Sequence, residues 1–365
     1  MSERSARMSY VILVVALVIV GAAFVSVQLF HTVRDAHHYA LQLGRLYSYA
    51  YDPKLPYFTK NYVCNVRGHN GANTDVNRTA AAAVLQVPGG GMVFYITGSV
   101  KMKAPVTADL ADRTGKVVRN IRSIAALAQE ATVVICANAA GKHAFSAATN
   151  GGGEAVNFTF IPEPDNLHAL VRTQKLAAIR NALHDKVVAL ARARGQRPEN
   201  VYMFVMDLDD VYAAPLDTAV LLQAFALRNR WDALSFNRPG YYDVWALRYA
   251  RFDLNVFDTG DDRWALVSLV RKDIERQLNT SAQPLYPVHS AFNGLAIYRL
   301  NATTGCAYHG EASGYGHTNA SLRAVVDDCE HVAFHRCLAA RHGARIMIYK
   351  YCLVNDVYLH DAHAS

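Results

Sequence analysis

The stretch that most constrains the fold is Val201-Tyr202-Met203-Phe204-Val205-Met206-Asp207-Leu208-Asp209-Asp210, where six mostly apolar residues run into three carboxylates within four positions. The apolar run is short, β-branched and aromatic, and it follows a break marked by Gly195 and Pro198. Such a run predicts a strand buried on both faces in a mostly parallel sheet. Side chains alternate across a strand, so Asp207 and Asp209 are expected on one face and Asp210 on the other. Two carboxylates at the end of a buried strand are costly unless something positive sits there. A hard divalent cation, Mn²⁺ or Mg²⁺, meets that need, since both take oxygen ligands from one or two carboxylates plus substrate phosphates. The C-terminal edge of an open α/β sheet is also where ligands bind. The bland alternative is an Asp-rich turn that caps the next helix.

The remaining segments supply the rest of an α/β pattern. Met92–Ile96, Ala131–Cys136, Phe158–Ile161, Ala233–Phe236, Leu295–Arg299 and Arg345–Leu353 read as strands. Arg119–Gln129, Leu167–Arg194, Pro215–Leu227 and Trp264–Leu278 read as helices. A further helix opens at Asp327-Asp328-Cys329-Glu330-His331, carries His335 one turn on, and stops at Gly343. Small residues at Ala137–Gly141 follow an early strand and leave room for a nucleotide, or form an ordinary loop. No GxGxxG or Walker pattern is present. In the Leu167–Arg194 helix, Leu176, Ile179, Leu183, Val187 and Leu190 make an apolar stripe. Arg172 falls within that stripe, with Lys175 about 60° to one side and Arg180 about 80° to the other. A charge on a buried helix face needs an anionic partner, so Arg172 is the first candidate to meet a phosphate or a site carboxylate.

The ends of the chain bear on its address. Tyr10–Phe30 carries no charge and is almost wholly apolar, and Arg4 and Arg7 precede it. About 20 such residues span a bilayer, and the flanking arginines place the N-terminus on the cytoplasmic side. The reading is a cytoplasmic tail over 1–9, a signal anchor over 10–30, a stem over 31–115 and a catalytic domain over 116–365. Five glycosylation sequons, at Asn77, Asn157, Asn279, Asn301 and Asn319, fit a lumenal position. None of the six cysteines forms a CxxC pair, which argues against zinc and leaves room for disulfides. The net charge of +7 is spread out without a Lys/Arg block, so nucleic acid is not an expected partner.

With these residues in hand, residues 130–353 resemble the GT-A class of nucleotide-sugar glycosyltransferases. Arg172-Thr-Gln-Lys175-Leu-Ala-Ala-Ile-Arg180-Asn181 is similar to the R…LA..RN pattern of fungal Golgi α-mannosyltransferases. Asp207-Leu208-Asp209 matches the DxD motif. Phe292-Asn293-Gly294…Arg299 stands where many members have Gly-Gly…Arg, and Asp328-Cys329-Glu330-His331 where they have Glu-Asp. The aromatic and charged segment Tyr242-Asp243-Val244-Trp245-Ala246-Leu247-Arg248 looks like a sugar site. Two departures are Asn293 in place of Gly and the D-C-E-H string, which leaves open whether Asp328 or Glu330 is the base.

The resemblance implies a GT-A, Rossmann-like fold: a mixed, mostly parallel sheet with flanking helices, preceded by one transmembrane helix. It implies a type II membrane protein of the Golgi or ER lumen that moves a sugar from a nucleotide-sugar donor to a glycan or glycoprotein acceptor. Asp207, Asp209 and His331 are the expected ligands of Mn²⁺ or Mg²⁺. Arg172, Lys175, Arg180, Asp207, Asn237, Asp243, Trp245, Arg248, Asn293 and Gly294 are expected at the donor. Asp328 or Glu330 would deprotonate the acceptor if the reaction inverts. Two rivals stay open. Asp207-Leu208-Asp209-Asp210-Val211 also fits the opening motif of haloacid-dehalogenase-like phosphohydrolases, with Asp207 as nucleophile and Asp209 as acid/base. The third reading is an inactive lumenal sugar-binding protein on the same fold.

Overall fold

The computed structural model describes residues 86–87, 90–149, 156–255, 263–310 and 328–354. The expected tail, the anchor over 10–30, the stem as far as residue 85, Asp327 and the sequons Asn77 and Asn319 lie outside the described residues. Among the described residues no helix is long and apolar enough to cross a membrane.

A small two-stranded ladder, Gln86–Val87 with Gly90–Gly91, leads into the main body. There β1 (Val93–Val100), β2 (Glu130–Ala137), β3 (Asn157–Ile161), β4 (Val201–Met206), β5 (Ala233–Asn237), β6 (Leu285–Pro287), β7 (Leu295–Arg299) and β8 (Ile346–Cys352) form one sheet. Its spatial order is β3-β2-β1-β4-β7-β5-β8-β6. β7 runs antiparallel to β4 and β5, and β6 antiparallel to β8; the other pairings are parallel. The sheet is therefore mixed and mostly parallel, as the sequence predicts. The helices are α1 (Ala108–Ala125), α2 (Ala139–Thr149), α3 (Arg172–Ala193), α4 (Thr218–Ala226), α5 (Arg263–Thr280) and α6 (Glu330–His342).

β4 shows why this sheet needs helices on both faces. All six of its residues are buried. Val201, Met203 and Val205 pack into a layer with Ala177, Leu183 and Val187 of α3, Val270 and Ile274 of α5, and Val332 and Phe334 of α6. Tyr202, Phe204 and Met206 pack into the opposite layer with Val117 and Ile121 of α1, Phe145 of α2, and Val220 and Phe225 of α4. Burial of each large apolar side chain contributes about 1.5–3 kcal/mol, so both faces of the strand stabilise the fold.

Several boundaries depart from the sequence reading. The expected domain start at 116 falls inside α1, and β1 lies between β2 and β4, so the sheet-bearing unit reaches back at least to Val93. The helix expected over 119–129 begins at Ala108, where Thr107 accepts the Leu110 N–H and caps it. The expected helix from Leu167 is a short 3₁₀ turn, Leu167–Ala169, followed by extended residues and then α3. The small residues after β2 do not make an open nucleotide loop. Asn138 Oδ1 accepts from Gly141 N–H (2.9 Å) and Met102 N–H (3.2 Å), and this starts α2. A Cβ at Gly141 would lie 3.0 Å from the Val100 carbonyl, so glycine here allows helix and strand to pack closely. As expected, Gly343 (φ 60°) closes α6.

Candidate active site

The site is built at the C-terminal end of β4. Asp207 is the next residue on the Val201-Met203-Val205 side of the strand, so its carboxylate enters the layer that contains α3 and α6. Its N–H donates to the Gly294 carbonyl (2.9 Å). From α3, Arg180 comes to 3.7 Å from Asp207 Oδ1, and its Nε donates to Glu330 Oε1 of α6 (2.8 Å). The guanidinium lies 4.6 Å from the centre of the Phe292 ring. The alternation expected for Asp207 is thus observed. For Asp209 it is not, because the strand ends at Met206: Leu208 is buried, Asp209 is exposed, and Asp209 Oδ1 accepts the Val211 N–H (3.1 Å). Asp209 remains an electrostatic neighbour of Asp207.

Negative charge exceeds positive charge around Asp207. Burial pushes its carboxyl well above the usual carboxylate range, and Asp209, Asp243 and Glu330 push the same way against Arg180. Asp243 is raised to about 6, chiefly by burial and further by Glu330, while the Ala246 N–H, Arg180 and Arg248 act in the other direction. Arg180 contacts Glu330 and Asp207 and lowers Asp243 together with Arg248, so the four carboxylates outnumber the cations beside them. This surplus is the observation that fits a divalent cation, with Asp207 and Asp209 as its protein donors. Among the described residues no group of three or more His, Cys, Asp or Glu side chains is placed to hold one ion. Mg²⁺-type sites commonly complete their shell with water and substrate phosphate.

The Asn293-Gly294 turn assembles the rest. Both residues have positive φ, 54° and 83°. Asparagine is one of the few side chains that tolerate this region. Asn293 Nδ2 donates to the Phe236 carbonyl (2.9 Å), and Oδ1 accepts the Asp243 N–H (3.0 Å). The side chain a glycine would lack therefore ties the end of β5 to the Asp243 segment. A Cβ at Gly294 would lie 2.9 Å from Val211 Cγ1 and 3.6 Å from Asp207 Oδ2, so only glycine fits there without displacing its neighbours. Asp243 Oδ1 accepts the Ala246 N–H (3.1 Å), which holds Trp245 in a tight turn beside it.

Other expected residues have different positions or duties. Arg172 is exposed at the first turn of α3, and Lys175 is half-buried. The buried side of α3 runs through Thr173, Ala177, Arg180, His184, Val187 and Ala191, a spacing that alternates four and three residues. The large aliphatics alone misplaced its centre, because small and polar residues occupy the tightest part of the packing. Arg180, rather than Arg172, is therefore the α3 arginine that meets the site carboxylates. Arg248 is buried and donates to Asp328 Oδ1 (2.7 Å) and to the Trp245 and Leu247 carbonyls. Asp328 Oδ1 also accepts the Cys329 N–H (2.7 Å), at the start of α6. Both acids expected to act as base thus have one oxygen on an arginine, and Glu330 Oε2 also accepts from the Cys329 thiol (3.8 Å). Asn237 is buried, donates to the Lys350 carbonyl (2.9 Å) and accepts the Arg238 N–H, so it ties β5 to β8.

His331 does not join Asp207 and Asp209 as a third metal donor. It is buried, its ring stacks on Phe292 (3.9 Å), and Nδ1 lies 3.2 Å from the Tyr298 hydroxyl. Burial, then Arg180 and His335, hold it well below the usual histidine range. His335 bridges the Ser290 and Tyr298 hydroxyls, and burial lowers it to about 3. The i, i+4 histidine pair is therefore a neutral packing unit of α6. Sequence reasoning also missed Phe292 beneath Arg180, and Tyr308, whose backbone pairs with the Asn181 side chain (2.8 and 2.9 Å). Asn181 lies beside Arg180 in the quoted motif, but nothing local joins it to a segment 127 residues away.

A family model described as Cryptococcal mannosyltransferase 1 matches residues 106–337, which include Arg180, Asp207, Asp243, Asn293 and Glu330. No curated protein sequence matches the chain. Among solved structures, mouse xyloside xylosyltransferase 1 is similar at 10% identity and TM-score 0.32, over 69% of this chain and 83% of that one. Glucosyl-3-phosphoglycerate synthase from Mycobacterium tuberculosis, in complex with phosphoglyceric acid, is similar at 13% identity and TM-score 0.36, over 80% of each chain.

Proposed function

Because the chain belongs to the Cryptococcal mannosyltransferase 1 family of glycosyltransferases, we propose that it moves a hexose of the mannose type from a nucleotide-sugar donor to a hydroxyl of a glycan or glycoprotein. The observation that carries the metal-dependent form of this reading is the carboxylate surplus around Asp207, with burial and three acidic neighbours all raising its pKa. Asp207 and Asp209 would hold Mn²⁺ or Mg²⁺, which when bound would offset the charge that develops on a leaving diphosphate. Arg180 keeps Glu330 and Asp207 in register from the opposite side. Asp243 would accept hydrogen bonds from sugar hydroxyls, and the neighbouring Trp245 would supply an apolar face. If the reaction inverts, Asp328 or Glu330 would take the acceptor proton.

We place the protein in the secretory pathway, anchored by 10–30 with the catalytic part lumenal. The Cys306–Cys337 disulfide and the disulfide-bonded state of Cys352 support an oxidising compartment. The test is binding of a nucleoside diphosphate by calorimetry, with and without Mn²⁺, beside turnover of a panel of nucleotide sugars and a generic phosphomonoester. The expected result is metal-dependent binding that Asp209→Ala removes with the fold intact by circular dichroism. Turnover should fall about 10²–10³-fold, the usual loss when a stabiliser of developing charge is removed. Equal binding with and without metal would refute the carboxylate assignment, and turnover of the phosphomonoester alone would refute sugar transfer.

A further inference from the structure

The outer edge of β3 is a liability that the described fold leaves open. Among the described residues β3 is the terminal strand of the sheet and pairs only with β2. Its sequence, Asn157-Phe158-Thr159-Phe160-Ile161, has no charge, no proline and high strand propensity. Phe158, Phe160 and Ile161 are only half-buried against the core. Natural sheets blunt such edges with lysine, proline, a bulge or a covering segment, because a bare ladder recruits a second chain. None of the first three is present within β3.

What β3 does carry is a sequon. Asn157-Phe158-Thr159 meets the acceptor pattern, and Asn157 is the one exposed residue of the strand. We propose that Asn157 is N-glycosylated and that the glycan shields this edge from pairing with a second copy of the sheet. In the transfer, the Asn157 amide nitrogen bonds to the anomeric carbon of an oligosaccharide linked to a lipid diphosphate. The anomeric C–O bond breaks, the lipid diphosphate leaves, and the amide proton passes to the transferring enzyme. A large hydrated group rooted at the first residue of this five-residue strand stands at one end of the edge that the described residues leave without a partner strand. The inference rests on the lumenal address proposed above, and not on the reaction the protein catalyses.

The experiment expresses the full chain in a glycosylating eukaryotic cell and maps occupancy by deglycosylation in heavy-oxygen water. Asn301 is the internal reference for the address, being exposed on a 3₁₀ turn whose Thr303 is buried. Occupancy is expected at Asn157. Asn157→Gln and Thr159→Ala should each lose that glycan, and light scattering should then show at least a doubling of mass at a concentration where the wild type is monomeric. Asn157→Lys also lacks the glycan but adds an edge lysine, and it should stay monomeric. Glycan at Asn301 with none at Asn157 would overturn this inference and leave the address standing. No glycan at either site would overturn both. An occupied Asn157 whose Gln variant stays monomeric would overturn the shielding role.

Discussion

Arg180→Ala removes a cation that faces two of the four carboxylates at the end of β4. Its guanidinium is 2.8 Å from Glu330 and 3.7 Å from Asp207, with side-chain exposures of 11%, 3% and 22%. Removing one partner of a buried pair usually costs about 3–5 kcal/mol, because the other charge is left without compensation. For a domain somewhat above 200 residues, each kcal/mol lowers Tm by about 2–4 °C, so a fall of about 6–20 °C is expected without metal. The loss should depend on pH, with a definite sign. Asp243 is raised from its ordinary 3.8 to about 6, and Asp207 is raised well above 3.8. A carboxyl raised on folding binds more protons folded than unfolded, so its stabilising contribution is complete below pH 3.8 and is lost as pH rises through 6. Arg180 lowers both groups, and deleting it moves that loss to larger size. Urea unfolding of wild type and Arg180→Ala in EDTA should therefore converge near pH 4.5 and diverge near pH 7.5. Saturating Mn²⁺ should recover part of the difference at pH 7.5 through Asp207 and Asp209. A difference under about 1 kcal/mol at pH 7.5, or one that grows as pH falls, would refute this account of the cluster.

Two more outcomes follow from placement. At φ 54°, Asn293→Gly loses the bonds to Phe236 and Asp243, whereas Asn293→Ala loses them and adds left-handed strain. The alanine variant should be less stable than the glycine variant by about 1–2 kcal/mol, read as a shift in urea midpoint at constant slope. Arg172→Ala removes an exposed side chain, so stability should stay within the usual ±0.5 kcal/mol of a surface substitution, read as the urea midpoint. A tenfold rise in donor KM in initial-rate assays would assign Arg172 to the donor.

The sequence by itself determined the class of sheet and every main-body strand but the three-residue β6. Apolar strands of five to eight residues alternate with amphipathic helices, and that pattern points to a mostly parallel sheet covered on both faces. It also determined where the acids gather, because a buried apolar run that meets Asp207 fixes both the strand end and the face of the first carboxylate. What it left open are the contacts between elements distant in sequence. Periodicity locates the large aliphatics of α3, yet the site lies on a neighbouring face of small and polar residues that only packing against α6 reveals. Arg180 meets Glu330 across 150 residues, and Asn181 meets Tyr308 across 127. The start of the catalytic unit was hidden for a related reason. β1 is placed between β2 and β4 by hydrogen bonds to both, and no local signal in Val93–Val100 records its neighbours. The roles of Asp328, Asn237 and His331 were likewise decided by tertiary contact. A buried polar side chain is assigned by the partner that satisfies it, and here each of those partners lies on a different element.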